Sequence, residues 1–368
     1  MQPREAVAEA PRSAGGPPID YAMSPQVIFW EVTWACALRC LHCRAEAQPK
    51  RHPDELTTEE GYRLLDEMRR FGQPIVVISG GDALMRRDLF DLLQYGTDLG
   101  LRMSLAPSAT ALATPVNLRR VYYAGVRRLS FSLDGATPET HDGFRGVPGS
   151  FERTLRAVRT AQDAGIAVQL NTVVSRRTFG DLSLMPSLLE GLGVVLWDVF
   201  FLVPTGRAQT DDLVSPEEHE ATFNWLYDLS LKATYQVKTT LGQPYRRVMI
   251  QRSEGERAAG IGTTNDGKGI CFVSHRGDIL PSGFLPIAAG NVRRDSLVET
   301  YRNSPLFRAL RDPAQLKGKC GVCPYNTVCG GCRARAYGVT GDYLAAEPSC
   351  VLQPPGWVEG LGATPTTG

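Results

Sequence analysis

Six short runs of β-branched and aromatic residues, each followed by a helix-patterned stretch, constrain this chain more than any other feature. They lie at Val27–Thr33, Ile75–Ser79, Arg102–Pro107, Arg128–Asp134, Ala167–Val174 and Leu196–Val203. Between them, one stretch opens on Thr57 or Thr58 as helix N-cap and closes on Gly72. Another opens at Ser150, carries Phe151, Leu155 and Val158 on one face, and closes on Gly165. Strands alternating with helices imply a parallel sheet, either doubly wound or curled into a partial barrel. In both, chemistry belongs at the C-terminal ends of the strands.

Those ends carry distinctive loops. The first strand leads into three cysteines, Cys36, Cys40 and Cys43; the second into Gly80, Gly81 and Asp82; the fourth ends at Ser132 and Asp134; the fifth carries Asn171; the sixth runs into Pro204–Ala208. Composition removes several alternatives. Forty basic residues balance thirty-nine acidic ones, and the basic residues are scattered, which argues against a nucleic-acid partner. The apolar stretch Gly193–Val203 is too short to span a bilayer and contains Asp198, and the N-terminal residues lack a signal-peptide pattern. The expectation is a cytoplasmic protein without a membrane partner.

Nine cysteines in a reducing compartment point to metal or catalysis rather than disulfides. Eight fall in two groups, the triplet and Cys320, Cys323, Cys329, Cys332 and Cys350, while Cys271 reads as a buried strand residue. Spacers of three and then two residues let one loop give three thiolates to three irons of a cubic cluster. The fourth iron stays open to a small ligand bearing an amine and a carboxylate, such as the methionine end of S-adenosylmethionine. Structural zinc wants four ligands, and His42 inside the loop can hardly share a tetrahedron with both neighbours.

On these residues the chain resembles the radical SAM superfamily. The resemblance implies an α/β fold, a partial (βα)6 TIM-like barrel with a small C-terminal SPASM/twitch-like iron-sulfur extension. It further implies that Cys36, Cys40 and Cys43 hold a 4Fe-4S cluster that binds S-adenosylmethionine. His42 would lie against the adenine, Gly80, Gly81 and Asp82 would receive the methionine ammonium, and Ser132, Asp134 and Asn171 would contact ribose and carboxylate. The later cysteines resemble the auxiliary-cluster extension, and imply one further 4Fe-4S cluster on Cys320, Cys323, Cys329 and Cys350, with Cys332 as the substitute ligand. A second auxiliary cluster is not expected, because Ser282 stands where the family's cysteine would follow Gly277.

The organisation expected is a mobile tail over 1–26, the barrel core over 27–232, a connecting segment over 233–259, the auxiliary domain over 260–352 and a C-terminal tail over 353–368. Finer resemblance is to the radical SAM proteins of alternative haem and related tetrapyrrole biosynthesis, which remove or oxidise propionate or acetate side chains on an iron porphyrinoid. It implies a radical SAM oxidoreductase or lyase served by an electron donor such as flavodoxin or ferredoxin. Peptide maturases share the architecture; the 26 residues before the first strand argue against a fused leader-binding domain. Arg207, Arg293, Arg294, Arg333 and Arg335 are candidate grips for propionates, and His275 faces either a haem iron or a hydrogen-bond partner within a strand. An electron carrier or redox-sensing module is the reading of another class.

Overall fold

The computed structural model describes residues 19–253 and 261–357. The tails over 1–18 and 358–368, and the 254–260 part of the connecting segment, lie outside the described residues. Among these residues one ten-stranded sheet forms: β1 (Val27–Glu31), β2 (Ile75–Ser79), β3 (Arg102–Leu105), β4 (Arg128–Ser132), β5 (Ala167–Val174), β6 (Leu196–Phe201), β7 (Gln236–Thr240), β8 (Ile270–Val273), β9 (Asp278–Leu280) and β10 (Gly290–Asn291). The spatial order is β10-β9-β8-β1-β2-β3-β4-β5-β6-β7. Strands β1 to β7 pair in parallel with helices between them, which is the partial-barrel class.

The six expected strands are present, and the sheet extends past both ends. β7 continues the parallel order inside the stretch read as a connection, and β8 adds to the other side of β1, also in parallel. β9 then folds back antiparallel on β8, so the C-terminal region grows directly from the barrel sheet.

Alternation along each strand separates two faces. On β5, Val168, Leu170, Thr172 and Val174 are buried, while Gln169, Asn171 and Val173 between them are half-buried. The buried face joins Ile28, Trp30, Val76, Ile78, Leu129, Phe131, Trp197 and Val199 in the main core under the helices. Each such side chain contributes about 1.5–3 kcal/mol on leaving water. The other face lines the barrel interior. The helix Thr58–Arg69 starts where expected, because Glu60 N donates to Thr57 Oγ1 (3.2 Å) and Thr57 N to Glu60 Oε2 (2.8 Å).

Residues 19–26, read as part of the tail, are anchored: the Tyr301 hydroxyl donates to Tyr21 O (2.8 Å) and the Tyr21 hydroxyl to Gln26 Oε1 (3.1 Å). Among the described residues no helix is long and apolar enough to cross a membrane.

Candidate active site

The loop after β1 is held by backbone bonds from four separate segments. Cys36 N donates to Gln48 O (2.8 Å); Gly81 N and Asp82 N donate to Thr33 O (2.8 Å) and Ala35 O (2.7 Å). Arg39 N and Leu41 N donate to Arg145 O (3.2 Å) and Phe144 O (3.0 Å), and Arg207 N to Cys43 O (3.1 Å). Buried Glu55 fixes the bend at the loop's start, accepting from the Thr33 hydroxyl and Trp34 N, both at 2.8 Å. This explains the glycines. A Cβ on Gly80 would stand 2.7 Å from Thr33 O, and one on Gly81 would collide with Ala35 O. Gly206, at φ 60°, passes as closely over the carbonyls of Cys43 and Arg44.

The loop presents its sulfurs to donors. Leu38 N points at Cys36 Sγ and Ala47 N at Cys43 Sγ, both at 3.4 Å, and Arg145 Nη1 lies 3.6 Å from Cys40 Sγ. The Ser108 hydroxyl, 3.7 Å from Cys36 Sγ, donates to Gly81 O (2.8 Å). One donor for each thiol is the environment an anionic thiolate needs when it ligates iron, so the loop fits the cluster.

The other expected contacts divide. Ser132 and Asn171 are register partners on the half-buried inner face. His42 stacks on Phe144 with centroids 4.0 Å apart and planes 5° from parallel, and its Nδ1 is buried without a hydrogen-bond partner. Burial, with Arg145 nearby, holds its pKa well below the usual imidazole value, so the ring is neutral. Asp82 is buried, accepting from the Thr110 hydroxyl (2.6 Å) and Leu84 N (3.2 Å), and burial pushes its carboxyl up to about 6. Its side chain braces the turn after Gly81.

Asp134 departs from the expectation. It is buried, accepts from Val173 N (2.8 Å) and pairs with Arg145 at 2.5 Å, so its carboxylate is taken up by the protein and acts on the loop through Arg145 and Cys40. Burial disfavours the Arg145 charge, yet Asp134 and Cys40 beside it raise its pKa above the usual value. Replacing Asp134 by Ala would strand that charge, and an apparent loss of roughly 3–5 kcal/mol is expected. Denaturant unfolding of the metal-free chain checks this; an unchanged midpoint would refute it.

In the C-terminal region Cys320, Cys323, Cys329 and Cys350 line one cavity. Gly331 N donates to Cys329 Sγ (3.4 Å) and Glu347 N to Cys320 Sγ (3.3 Å). Cys332 does not line that cavity. It is fully buried with Val203, Leu285 and Leu310, caps the helix Arg333–Thr340, and accepts from Arg335 N (3.3 Å). Among the described residues no three Cys, His, Asp or Glu side chains converge on a point that could hold one metal ion. Four cysteines on one cavity wall match the ligand number of a cubic iron-sulfur cluster. Cys271 is fully buried on β8.

Most candidate carboxylate grips serve the fold. Arg335 is fully buried and forms a bidentate pair with Glu347 (2.9 and 3.1 Å); Arg333 is buried and donates to Tyr343 O (3.1 Å) and Ala345 O (2.7 Å). Arg293 pairs with Glu60 (2.8 Å) and Arg294 with Asp295 (3.4 Å) towards solvent. Arg207 Nη2 donates to Ala47 O (3.2 Å), while its Nε is buried and unpartnered. His275 lies in the turn after β8, not in a strand, with Nδ1 2.6 Å from Glu31 Oε1 and its ring stacked on Trp34. The sequence reading missed Arg44, whose guanidinium pairs with Glu31 (2.9 Å) and sits over the Phe272 ring at 4.5 Å. Its position one residue after Cys43 was the available signal.

Residues 30–181 match the radical SAM superfamily. The AdoMet-dependent heme synthase of Methanosarcina barkeri is 44% identical over 341 residues, covering 90% of this chain and 97% of the relative. The mycofactocin maturase MftC of Mycobacterium tuberculosis is 31% identical over 337 residues, 89% of this chain and 83% of that protein. Among solved structures, Streptococcus suis SuiB bound to S-adenosylmethionine aligns with a TM-score of 0.68 at 16% identity, over 90% of this chain and 78% of that one, and so shares the fold. The chain belongs to the radical SAM superfamily. It is an enzyme whose family implies a 4Fe-4S cluster and S-adenosylmethionine.

Proposed function

We propose that this enzyme acts on an iron porphyrinoid, decarboxylating or oxidising propionate side chains. The observation that carries this reading is the 44% identity to a heme synthase across nearly the whole length of both chains, against 31% for the maturase. Half-buried aromatic side chains on the strands are consistent with it: Phe29 and Phe200 lie on β1 and β6, and Arg44, paired with Glu31, packs against the Phe272 and Phe284 rings.

When bound, the cluster and S-adenosylmethionine supply a 5'-deoxyadenosyl radical that takes a hydrogen atom from the substrate. Cys36, Cys40 and Cys43 would hold the irons, with Arg145 and the amides of Leu38 and Ala47 supporting the thiolates. His42, the backbone of Gly80, Gly81 and Asp82, and the side chains of Ser132 and Asn171 would receive S-adenosylmethionine. A further 4Fe-4S cluster would sit among Cys320, Cys323, Cys329 and Cys350, and a small electron-transfer protein such as flavodoxin or ferredoxin would reduce the enzyme.

The test is an anaerobic titration of the reconstituted protein with iron coproporphyrin. Shifts in the visible bands, with increased deoxyadenosine formation, are expected. A flat titration together with turnover on a ribosomal peptide would transfer the assignment to peptide maturation, which the MftC similarity makes the second reading.

A further inference from the structure

The cavity formed by Cys320, Cys323, Cys329 and Cys350 has a cation in its wall. Arg247, on the helix Pro244–Arg252, lines it, and only 5% of its side chain is exposed. The guanidinium is satisfied on one side. Nη1 donates to Glu220 Oε1 (2.9 Å) and Gln251 Oε1 (2.8 Å), and Nη2 to the other Glu220 oxygen. Nε is buried and has no partner. A buried donor without a partner is costly, and the penalty is removed when an acceptor fills the space before it.

The surroundings give the cavity a positive character. Arg246, largely buried, donates to Val328 O (3.1 Å) and acts electrostatically on Cys329, and Lys319 Nζ donates to Cys350 O. The carboxylate in the wall, Glu347, is neutralised by Arg335 and also accepts from Cys332 N (2.6 Å) and Ser349 N (3.0 Å). The four thiols are among the acceptors lining the cavity, and Arg247 acts electrostatically on Cys323, Cys329 and Cys350. A 4Fe-4S core on four thiolates is anionic, and its reduction potential depends on net charge and on hydrogen bonds to its sulfurs.

We infer that Arg247, through its unpartnered Nε–H and its charge, is a hydrogen-bond donor to the iron-sulfur cluster held by these four cysteines and sets that cluster's reduction potential. This rests on the auxiliary-cluster reading above. A hydrogen bond from Nε stabilises the reduced, more negative core more than the oxidised one and so raises the potential; the guanidinium charge, already paired with Glu220, adds less. Glu220 and Gln251 hold the guanidinium in place through Nη1 and Nη2, making Arg247 a tuning residue and not an iron ligand.

The experiment uses the full chain carrying Cys36→Ala, Cys40→Ala and Cys43→Ala, so that only the second site can hold iron. Iron content, electron paramagnetic resonance and a redox titration are compared with and without Arg247→Gln, Arg247→Lys and Arg247→Met. Arg247→Gln is expected to keep its iron while its midpoint shifts to lower potential; Arg247→Lys keeps the charge and shifts less. A parental midpoint and an unchanged spectrum in Arg247→Gln overturn the inference alone. A parent without iron overturns the auxiliary-cluster reading, and this inference with it. Should Arg247→Gln fail to assemble a cluster, Arg247→Met, which removes both donor and charge, decides: full iron with a parental midpoint and spectrum is again the refuting result.

Discussion

Simultaneous replacement of Cys36, Cys40 and Cys43 by alanine is expected to abolish conversion of S-adenosylmethionine to 5'-deoxyadenosine and methionine, leaving only background. The fold should survive, because the loop does not depend on its sulfurs. Cys36 N, Arg39 N and Leu41 N reach Gln48, Arg145 and Phe144 through backbone bonds, and the Cys43 carbonyl receives Arg207 N. Losing three thiols therefore removes ligands while the brace around them stays. What changes electrostatically is local: Arg145 loses the Cys40 sulfur but keeps Asp134 at 2.5 Å. Chromatography of reaction products under dithionite measures the effect, and circular dichroism checks the fold. Undiminished cleavage in a folded triple variant would remove the basis for placing the radical chemistry at this loop.

Local rules made the repeating part of the fold legible. Thr57 and Glu60 announce a helix start through a pair that needs only neighbouring residues, and the β-branched runs at Ile75–Ser79 and Ala167–Val174 alternate with the strand period. β7 escaped because Gln236–Thr240 is a polar edge strand whose residues are all at least partly exposed, so no apolar alternation marks it. The glycine pair was legible as important, but its reason was not. Gly81 is needed because the Ala35 carbonyl passes close by, a contact between residues far apart in sequence. The same limit governs the charged residues. Arg335 looks like a free cation until folding brings Glu347 against it, and Asp134 looks like a ligand contact until Arg145 arrives from the end of the next helix. Resemblance to the auxiliary-cluster extension singled out the four thiols of the second cavity, yet it could not say which way Cys332 turns.

That orientation leads to the second large effect. In the background lacking the first three cysteines, Cys350→Ala is expected to lose or distort the remaining cluster, whereas Cys332→Ala should retain about four irons per chain. Both residues follow the same Cys-rich segment, but their surroundings differ. Cys350 shares a cavity wall with Cys320, Cys323 and Cys329; burial raises its thiol there too, but Arg247 and Lys319 offset part of that cost. Cys332 is embedded among Val203, Leu285, Leu310 and Ala334, and burial pushes its thiol well above the usual value. Turning its sulfur towards the cavity would break the cap on Arg335 N and open a hole in that apolar cluster. Cys332→Ala should therefore cost stability, by about 1 kcal/mol for a lost cap and a lost packed atom, without costing iron. Iron analysis and visible absorbance of the two variants decide between them. Loss of the cluster in Cys332→Ala with retention in Cys350→Ala would mean that the segment from Cys329 to Arg333 rearranges when iron binds, and would reverse the ligand assignment.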